Sequence, residues 1–138
     1  MILPVAVNYI SVLGAAVASF VLGMLWYGVI FCKPWMQLMG LNEKKAKAAK
    51  QTGMAKLHVI AFITGVVMSY VLAYVISYSG ASGIFEAVSV GFLVWLGFVA
   101  TIMLGSVLWE NKPIKLYVLN ASYYLISILL MSVILVLF

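Results

Sequence analysis

With 138 residues, the chain has room for a single domain. Hydrophobic residues make up 67% of it and charged residues only 8%, whereas a soluble domain carries roughly a quarter charged residues. This composition excludes a water-soluble fold, a disordered chain and a disulfide-stapled mini-protein. The net charge of +5 results from eight lysines and three glutamates, since the chain has no arginine and no aspartate, and in a membrane chain it indicates topology rather than binding of nucleic acid. The composition therefore predicts an integral membrane protein.

Four stretches are long and apolar enough to cross a bilayer as helices, which takes about 20 mostly apolar residues. They cover approximately residues 5–31, 55–78, 84–109 and 116–138, with proline only outside them. The first stretch lacks the positively charged start of a signal peptide, so we expect it to be retained. The expected architecture is all-α, a four-helix membrane bundle that forms one domain over residues 1–138.

Lysine is confined to two of the three predicted loops. Six lysines lie in or beside the first loop, about residues 33–53, and two lie in the third loop, while the second loop and both chain ends have none. The first and third loops share a side in a four-span protein, and lysine-rich loops stay in the cytoplasm. We therefore expect both termini outside the cytoplasm. Membrane lipids are the expected partners, with anionic head groups at the first loop, and an acidic protein partner is the alternative.

The chain also shows a faint internal repeat. The first and third spans end in similar Leu-Gly and Trp segments, residues 22–26 and 104–109, each shortly before a Lys-Pro pair. The second and fourth spans each carry a Ser-Tyr pair. These features are consistent with two similar helical hairpins related by an axis along the membrane normal. Chance similarity is the alternative, because such pairs are common in apolar helices.

Small residues recur at every fourth position on the first and third spans. Helices in a bilayer associate through close backbone approach at such residues, because lipid removes the hydrophobic incentive. We expect the two grooves to pack against each other or against a second copy of the chain. The alternative is that small residues are simply frequent in membrane helices. The residues concerned are Ala15, Ser19 and Gly23 on the first span and Gly97, Thr101 and Gly105 on the third.

The outer half of the predicted bundle contains one group of polar residues. Tyr70, Tyr74 and Tyr78 form an i, i+4, i+8 stripe on the second span. Asn8 and Glu86 lie at a similar depth on neighbouring spans. Together they could line a cleft for a polar or cationic ligand, because aromatic rings offer π faces. An interfacial aromatic belt with interhelical hydrogen bonds is the alternative.

A second polar group lies on the cytoplasmic half, where His58, Glu110, Asn120 and Tyr123 fall near the ends of three spans. A His–Glu pair could transfer a proton or orient a ligand. Alternatively, these residues tie the helix ends together at the membrane surface. The sequence has no phosphate-binding loop or nucleotide motif, and Cys32 lacks other metal ligands at a tight spacing. We therefore predict no catalytic residue, no metal and no cofactor.

Several local motifs occur in a familiar order along the chain. They are Asn8-Tyr9, Gly23–Tyr27, Lys33–Met36, Gly91–Phe98, Trp109–Pro113, Leu116-Tyr117 and Asn120–Tyr123. In this order they resemble domain-of-unknown-function family 1761, over nearly the whole chain. Where members often have serine after the Trp-Tyr pair, this chain has Gly28. The resemblance implies a small four-helix protein of the bacterial inner membrane and supplies no activity or site residue.

The first functional hypothesis is a non-enzymatic membrane component that acts as an oligomer or as an accessory subunit. Four spans enclose little volume, and the two grooves offer surfaces for helix docking. The alternative is binding or transport of a small apolar or weakly polar molecule in a cleft between Tyr70, Tyr74, Asn8 and Glu86. An enzyme centred on the cytoplasmic polar group is a third hypothesis.

Overall fold

The computed structural model describes residues 7–40 and 54–138. Most of the lysine-rich first loop lies outside the described residues. Within them, the chain forms four helices long and apolar enough to cross a membrane. The expected all-α membrane bundle is therefore confirmed. The helices are span 1 (Tyr9–Ile30), span 2 (Ala55–Ser79), span 3 (Ile84–Leu108) and span 4 (Ile114–Leu137).

Local residues explain where the spans begin and end. Span 1 follows Asn8, whose side-chain oxygen accepts hydrogen bonds from the N–H groups of Ile10 and Ser11 at 3.0 and 3.4 Å. It thereby satisfies two donors that a helix start leaves free. Span 2 ends before Gly80, whose φ of +75° lies in the left-handed region that glycine tolerates. Span 4 begins directly after Pro113, which has no N–H to lose.

Spans 1 and 3 both contain a π-helical segment. Span 1 changes from α-helix to π-helix at Trp26–Ile30, and span 3 does so at Trp95–Ala100. A π-turn has wider i to i+5 hydrogen bonding, so it changes the direction of the side chains that follow. A short helix, Cys32–Leu38, follows span 1. Span 3 continues as Thr101–Met103 and Gly105–Leu108.

Spans 1 and 4 form the centre of the bundle. Span 1 packs along spans 2 and 4, and span 3 packs mainly on span 4. The best-buried apolar cluster combines spans 1, 2 and 4, and consists of Ala15, Leu72, Ile76, Ile128 and Met131. Asn8 contacts Phe138 and Tyr27 contacts Asn120, so spans 1 and 4 are antiparallel.

We name the two ends of the bundle after the orientation expected from the lysines. The outer end holds Asn8, the turn between spans 2 and 3, and Phe138. The inner end holds the short helix Cys32–Leu38 and the segment between spans 3 and 4.

Candidate functional site

The stripe of small residues on span 1 is filled by span 4. Ala15 is completely buried. Ser19 Oγ lies 2.6 Å from Ser127 Oγ in a buried hydroxyl pair. A Cβ added at Gly23 would lie 2.9 Å from the hydroxyl oxygen of Tyr123, and that hydroxyl donates to the carbonyl of Ser19 at 3.2 Å. The small side chains of span 1 therefore allow span 4 to approach its backbone closely.

The stripe on span 3 is left uncovered by the described part of the chain. Gly97 and Thr101 are exposed, and a Cβ added at Gly97 would meet nothing within 4 Å. Thr101 Oγ1 donates to the carbonyl of Gly97 on its own helix at 2.7 Å. Gly105 is half-buried, and its nearest neighbour is the side chain of Trp109. The two stripes therefore do not pack against each other within one chain, and a contact with a second copy stays a prediction.

The opposite face of span 3 packs on span 4. Gly91 lies so close to Ser132 that an added Cβ would collide with its hydroxyl oxygen. The indole N–H of Trp95 donates to a backbone carbonyl of span 4 at 2.9 Å. The hydroxyl of Tyr117 donates to the carbonyl of Ala100 at 2.9 Å, at the end of the π-helical segment. These contacts fix the rotation of span 3 about its axis, and they turn its stripe of small residues away from the bundle.

At the outer end, the predicted tyrosine stripe is continuous. The hydroxyls of Tyr70 and Tyr74 lie 3.1 Å apart, and the ring centres of Tyr74 and Tyr78 lie 6.0 Å apart. Tyr9 of span 1 stacks on Tyr70 at 6.3 Å, an aromatic contact that the sequence analysis missed. The stripe therefore links the outer halves of spans 1 and 2.

The other two residues of the predicted outer site, Asn8 and Glu86, form hydrogen bonds at the starts of spans 1 and 3. Asn8 caps span 1, and its side-chain nitrogen donates to the carbonyl of Phe138 at 2.7 Å. Glu86 is exposed in the first turn of span 3 and accepts from the N–H of Ser82 at 3.0 Å, where a negative charge suits the helix dipole. Among the described residues, no hydrogen bond joins either of them to the paired tyrosines. In the hydrogen bonds of the described residues, Asn8 and Glu86 each serve a helix end, whereas Tyr70 and Tyr74 bond to each other.

A cavity of about 230 Å³ lies at the outer end between spans 1, 2 and 4. Ser11 lines it, is 4% exposed, and has an Oγ without a hydrogen-bond partner in the described chain. Sequence reasoning missed Ser11, although it extends the stripe of span 1 one turn towards the outer end. The lining residues are Val7, Asn8, Ser11, Ala73, Ile76, Ser77 and residues 135–138.

At the inner end, an aromatic cluster joins spans 1 and 4. The hydroxyl of Tyr27 donates to Asn120 Oδ1 at 2.7 Å. The ring of Tyr27 lies 5.3 Å from that of Tyr123 and 5.8 Å from that of Trp35. The indole N–H of Trp26 is buried and has no hydrogen-bond partner among the described residues. The cluster positions the short helix that follows span 1.

Whether His58 and Glu110 meet was left open by the sequence, and in the part of the chain that the structure describes no ion pair joins them. His58 is exposed on span 2 and meets the ring of Phe20 edge-on at 5.9 Å. Glu110 is exposed just after span 3. Of the four residues predicted for the inner site, Asn120 and Tyr123 join the aromatic cluster, whereas the two ionisable ones do not.

The comparisons with known proteins agree with the resemblance that the motifs indicated. No curated protein and no solved structure matches the chain. A family model described as "Protein of unknown function (DUF1761)" matches residues 10–136, which include all four spans almost completely. The chain therefore belongs to the DUF1761 family of proteins of unknown function.

Proposed function

We propose that this protein is a non-enzymatic component of the bacterial inner membrane that acts as an oligomer, with a second copy docked on span 3. The proposal is supported by the exposed stripe of Gly97, Thr101 and Gly105. The same spacing on span 1 is filled by a hydrogen-bonded helix. In a bilayer, such stripes are a main means by which helices associate.

The surroundings of the span 3 stripe favour a helix as its occupant. Phe98 and Ile102 are 70% and 72% exposed and form a ridge of large side chains directly beside the stripe. A ridge one turn long next to a shallow groove is the shape that interlocking helices present to each other. A two-fold axis would place the ridge of each copy in the groove of the other. Such an interface is self-complementary, and the assembly stops at two copies.

The proposal is tested by changing the groove without touching the core. Gly97→Leu fills the stripe, and Gly14→Leu is a matched control, because Gly14 is also exposed and a Cβ there meets nothing within 4 Å. Association of fluorescently labelled copies in lipid vesicles is measured by energy transfer as the protein is diluted in lipid. We expect Gly97→Leu to weaken association about tenfold or more, as a loss of close backbone packing predicts, and Gly14→Leu to behave as wild type.

Two results would count against the oligomer. Wild-type copies that show no energy transfer at any lipid dilution would refute self-association. Equal association of wild type and Gly97→Leu would refute span 3 as its site. If energy transfer is absent and Thr101 instead cross-links to a different membrane protein, the chain is an accessory subunit.

We further propose that both chain ends lie outside the cytoplasm and that anionic lipids bind at the inner end. The proposal is supported by the described lysines, Lys33, Lys56, Lys112 and Lys115, which are all exposed at the inner end. Such clusters favour the cytoplasmic leaflet and its anionic lipids. A periplasm-dependent phosphatase reporter should be active when fused after Phe138 and inactive when fused after Asn111. The reverse pattern would refute the orientation.

A further inference from the structure

Ser11 differs from the other buried serines in the described chain. Ser19 and Ser127 share a hydrogen bond, Ser69 donates to the carbonyl of Val12 at 3.0 Å, and Ser132 donates to a carbonyl of its own helix at 2.8 Å. Ser11 is equally buried, but its hydroxyl has no partner. A buried hydroxyl without a partner lowers stability, so a group that supplies one would bind favourably.

The cavity that Ser11 lines supplies space for such a group. Its volume of about 230 Å³ exceeds the roughly 150 Å³ of an engineered cavity in another protein that holds benzene. In the observed conformation the Ser11 oxygen is sealed from solvent. Pairing with a bound group therefore requires rotation about the Cα–Cβ bond of Ser11 to another staggered position that turns the oxygen towards the cavity.

The wall of the cavity specifies the class of molecule that fits. The larger part of the accessible wall is polar, with Asn8 and Ser77 among the polar contributors, and Ala73, Ile76 and Leu135 contribute the apolar part. None of the described lining side chains is ionisable, so a charged molecule would lose hydration without gaining a counter-charge from them. A serine hydroxyl both donates and accepts, and therefore suits an alcohol, a phenol or an amide.

We propose that this cavity is a binding site for a small neutral molecule that combines a compact apolar body with one hydroxyl or amide group, which pairs with Ser11. The site opens at the outer end of the bundle, and it is separate from the span 3 stripe. It also differs from the predicted tyrosine cleft, since Asn8 is the one residue of that cleft among the described lining residues. The proposal that a small molecule binds in this cavity is therefore independent of the proposal that a second copy docks on span 3.

The experiment uses the full chain in detergent and two probes of similar shape, 4-fluorobenzyl alcohol and 4-fluorotoluene, observed by fluorine NMR. Ser77→Phe blocks the cavity from its exposed rim. Ser89→Phe is the matched control, since Ser89 is an exposed serine on the outer half of span 3 and lies outside the described lining. Ser11→Ala removes the proposed hydrogen bond, and melting temperatures verify that each variant is folded.

We expect saturable binding of both probes to wild type and to Ser89→Phe, and no saturable binding to Ser77→Phe. Ser11→Ala should weaken binding of the alcohol about fivefold, the worth of one neutral hydrogen bond, and leave binding of 4-fluorotoluene unchanged. No saturable binding of either probe to wild type would overturn the proposal. Equal binding by wild type and Ser77→Phe would also overturn the proposal, because it would show that the probes partition into detergent and do not enter the cavity. An unchanged alcohol affinity in Ser11→Ala would overturn the role of Ser11.

Discussion

Spans 1 and 3 carry small residues at the same spacing, but the two stripes have different neighbours. On span 1, Ser19 pairs with Ser127 and Gly23 admits Tyr123, so the stripe is part of the interior of the chain. On span 3, a Cβ at Gly97 would meet nothing within 4 Å, because span 3 turns its opposite face to span 4. The comparison teaches that the spacing of small residues indicates where a helix can approach, whereas the rotation of the helix decides which partner does so.

The largest expected effect on stability lies on the packed face of span 3. Gly91→Ala places a methyl group where the buried hydroxyl of Ser132 already lies. We expect the free energy of unfolding in detergent to fall by about 1–3 kcal/mol, the usual cost of overpacking. The matched control is Gly97→Ala on the uncovered face of the same span, which should cause no loss and can raise the free energy of unfolding by up to about 1 kcal/mol, the advantage of alanine over glycine within a helix. Equal losses in the two variants would show that span 3 does not have the assigned rotation.

A smaller loss is expected at Gly23 on span 1. A Cβ there would press on the end of the Tyr123 side chain, which can move aside at the cost of its hydrogen bond to span 1, about 0.5–1.5 kcal/mol. Combining Gly23→Ala with Tyr123→Phe should cost less than the sum of the two single changes, because the second removes the obstructing oxygen. Gly14→Ala on the same span is the control and should cause no loss of stability, since an added Cβ meets nothing there and alanine favours a helix. Strict additivity would contradict the proposed contact.

The smallest expected effect concerns the hydroxyl pair that joins spans 1 and 4. Hydrogen bonds between membrane helices average about 0.6 kcal/mol in double-mutant cycles. We expect a coupling energy of about that size between Ser19→Ala and Ser127→Ala, measured from unfolding in detergent. A cycle between Ser19→Ala and Ser89→Ala should give no coupling, since Ser89 is exposed and bonds to its own helix. A coupling absent from the first cycle would mean that the 2.6 Å contact contributes nothing to stability.

Much of the fold could be predicted from the sequence, because membrane thickness sets the length of an apolar helix. The first span was expected from residue 5 and begins at Tyr9, after its cap. The fourth was expected from residue 116 and begins at Ile114, since Pro113 permits a helix to start directly after it. The π-helical segments were not predicted, because their sequences resemble the α-helical ones around them. The segment in span 3 lies between residues that pack on span 4, so it affects which face of span 3 is turned to the bundle.

The candidate sites were predictable only within a single helix. The i, i+4 spacing placed Tyr70 beside Tyr74 correctly, because that geometry is local. His58 and Glu110 were grouped because they lie at a similar depth in the membrane. Depth alone does not show which helices are adjacent or how each helix is rotated about its axis. The same lack of rotational information left Ser11 unnoticed beside the cavity.

Cysteine cross-linking in native membranes tests most directly whether span 3 contacts a second copy. In a Cys32→Ser background, Thr101→Cys places a thiol on the uncovered stripe, and Val17→Cys places one on an exposed position of span 1. Treatment with a short bifunctional maleimide should convert Thr101→Cys to a covalent dimer and leave Val17→Cys monomeric. A monomeric Thr101→Cys protein, or dimers of equal yield from both positions, would contradict the account.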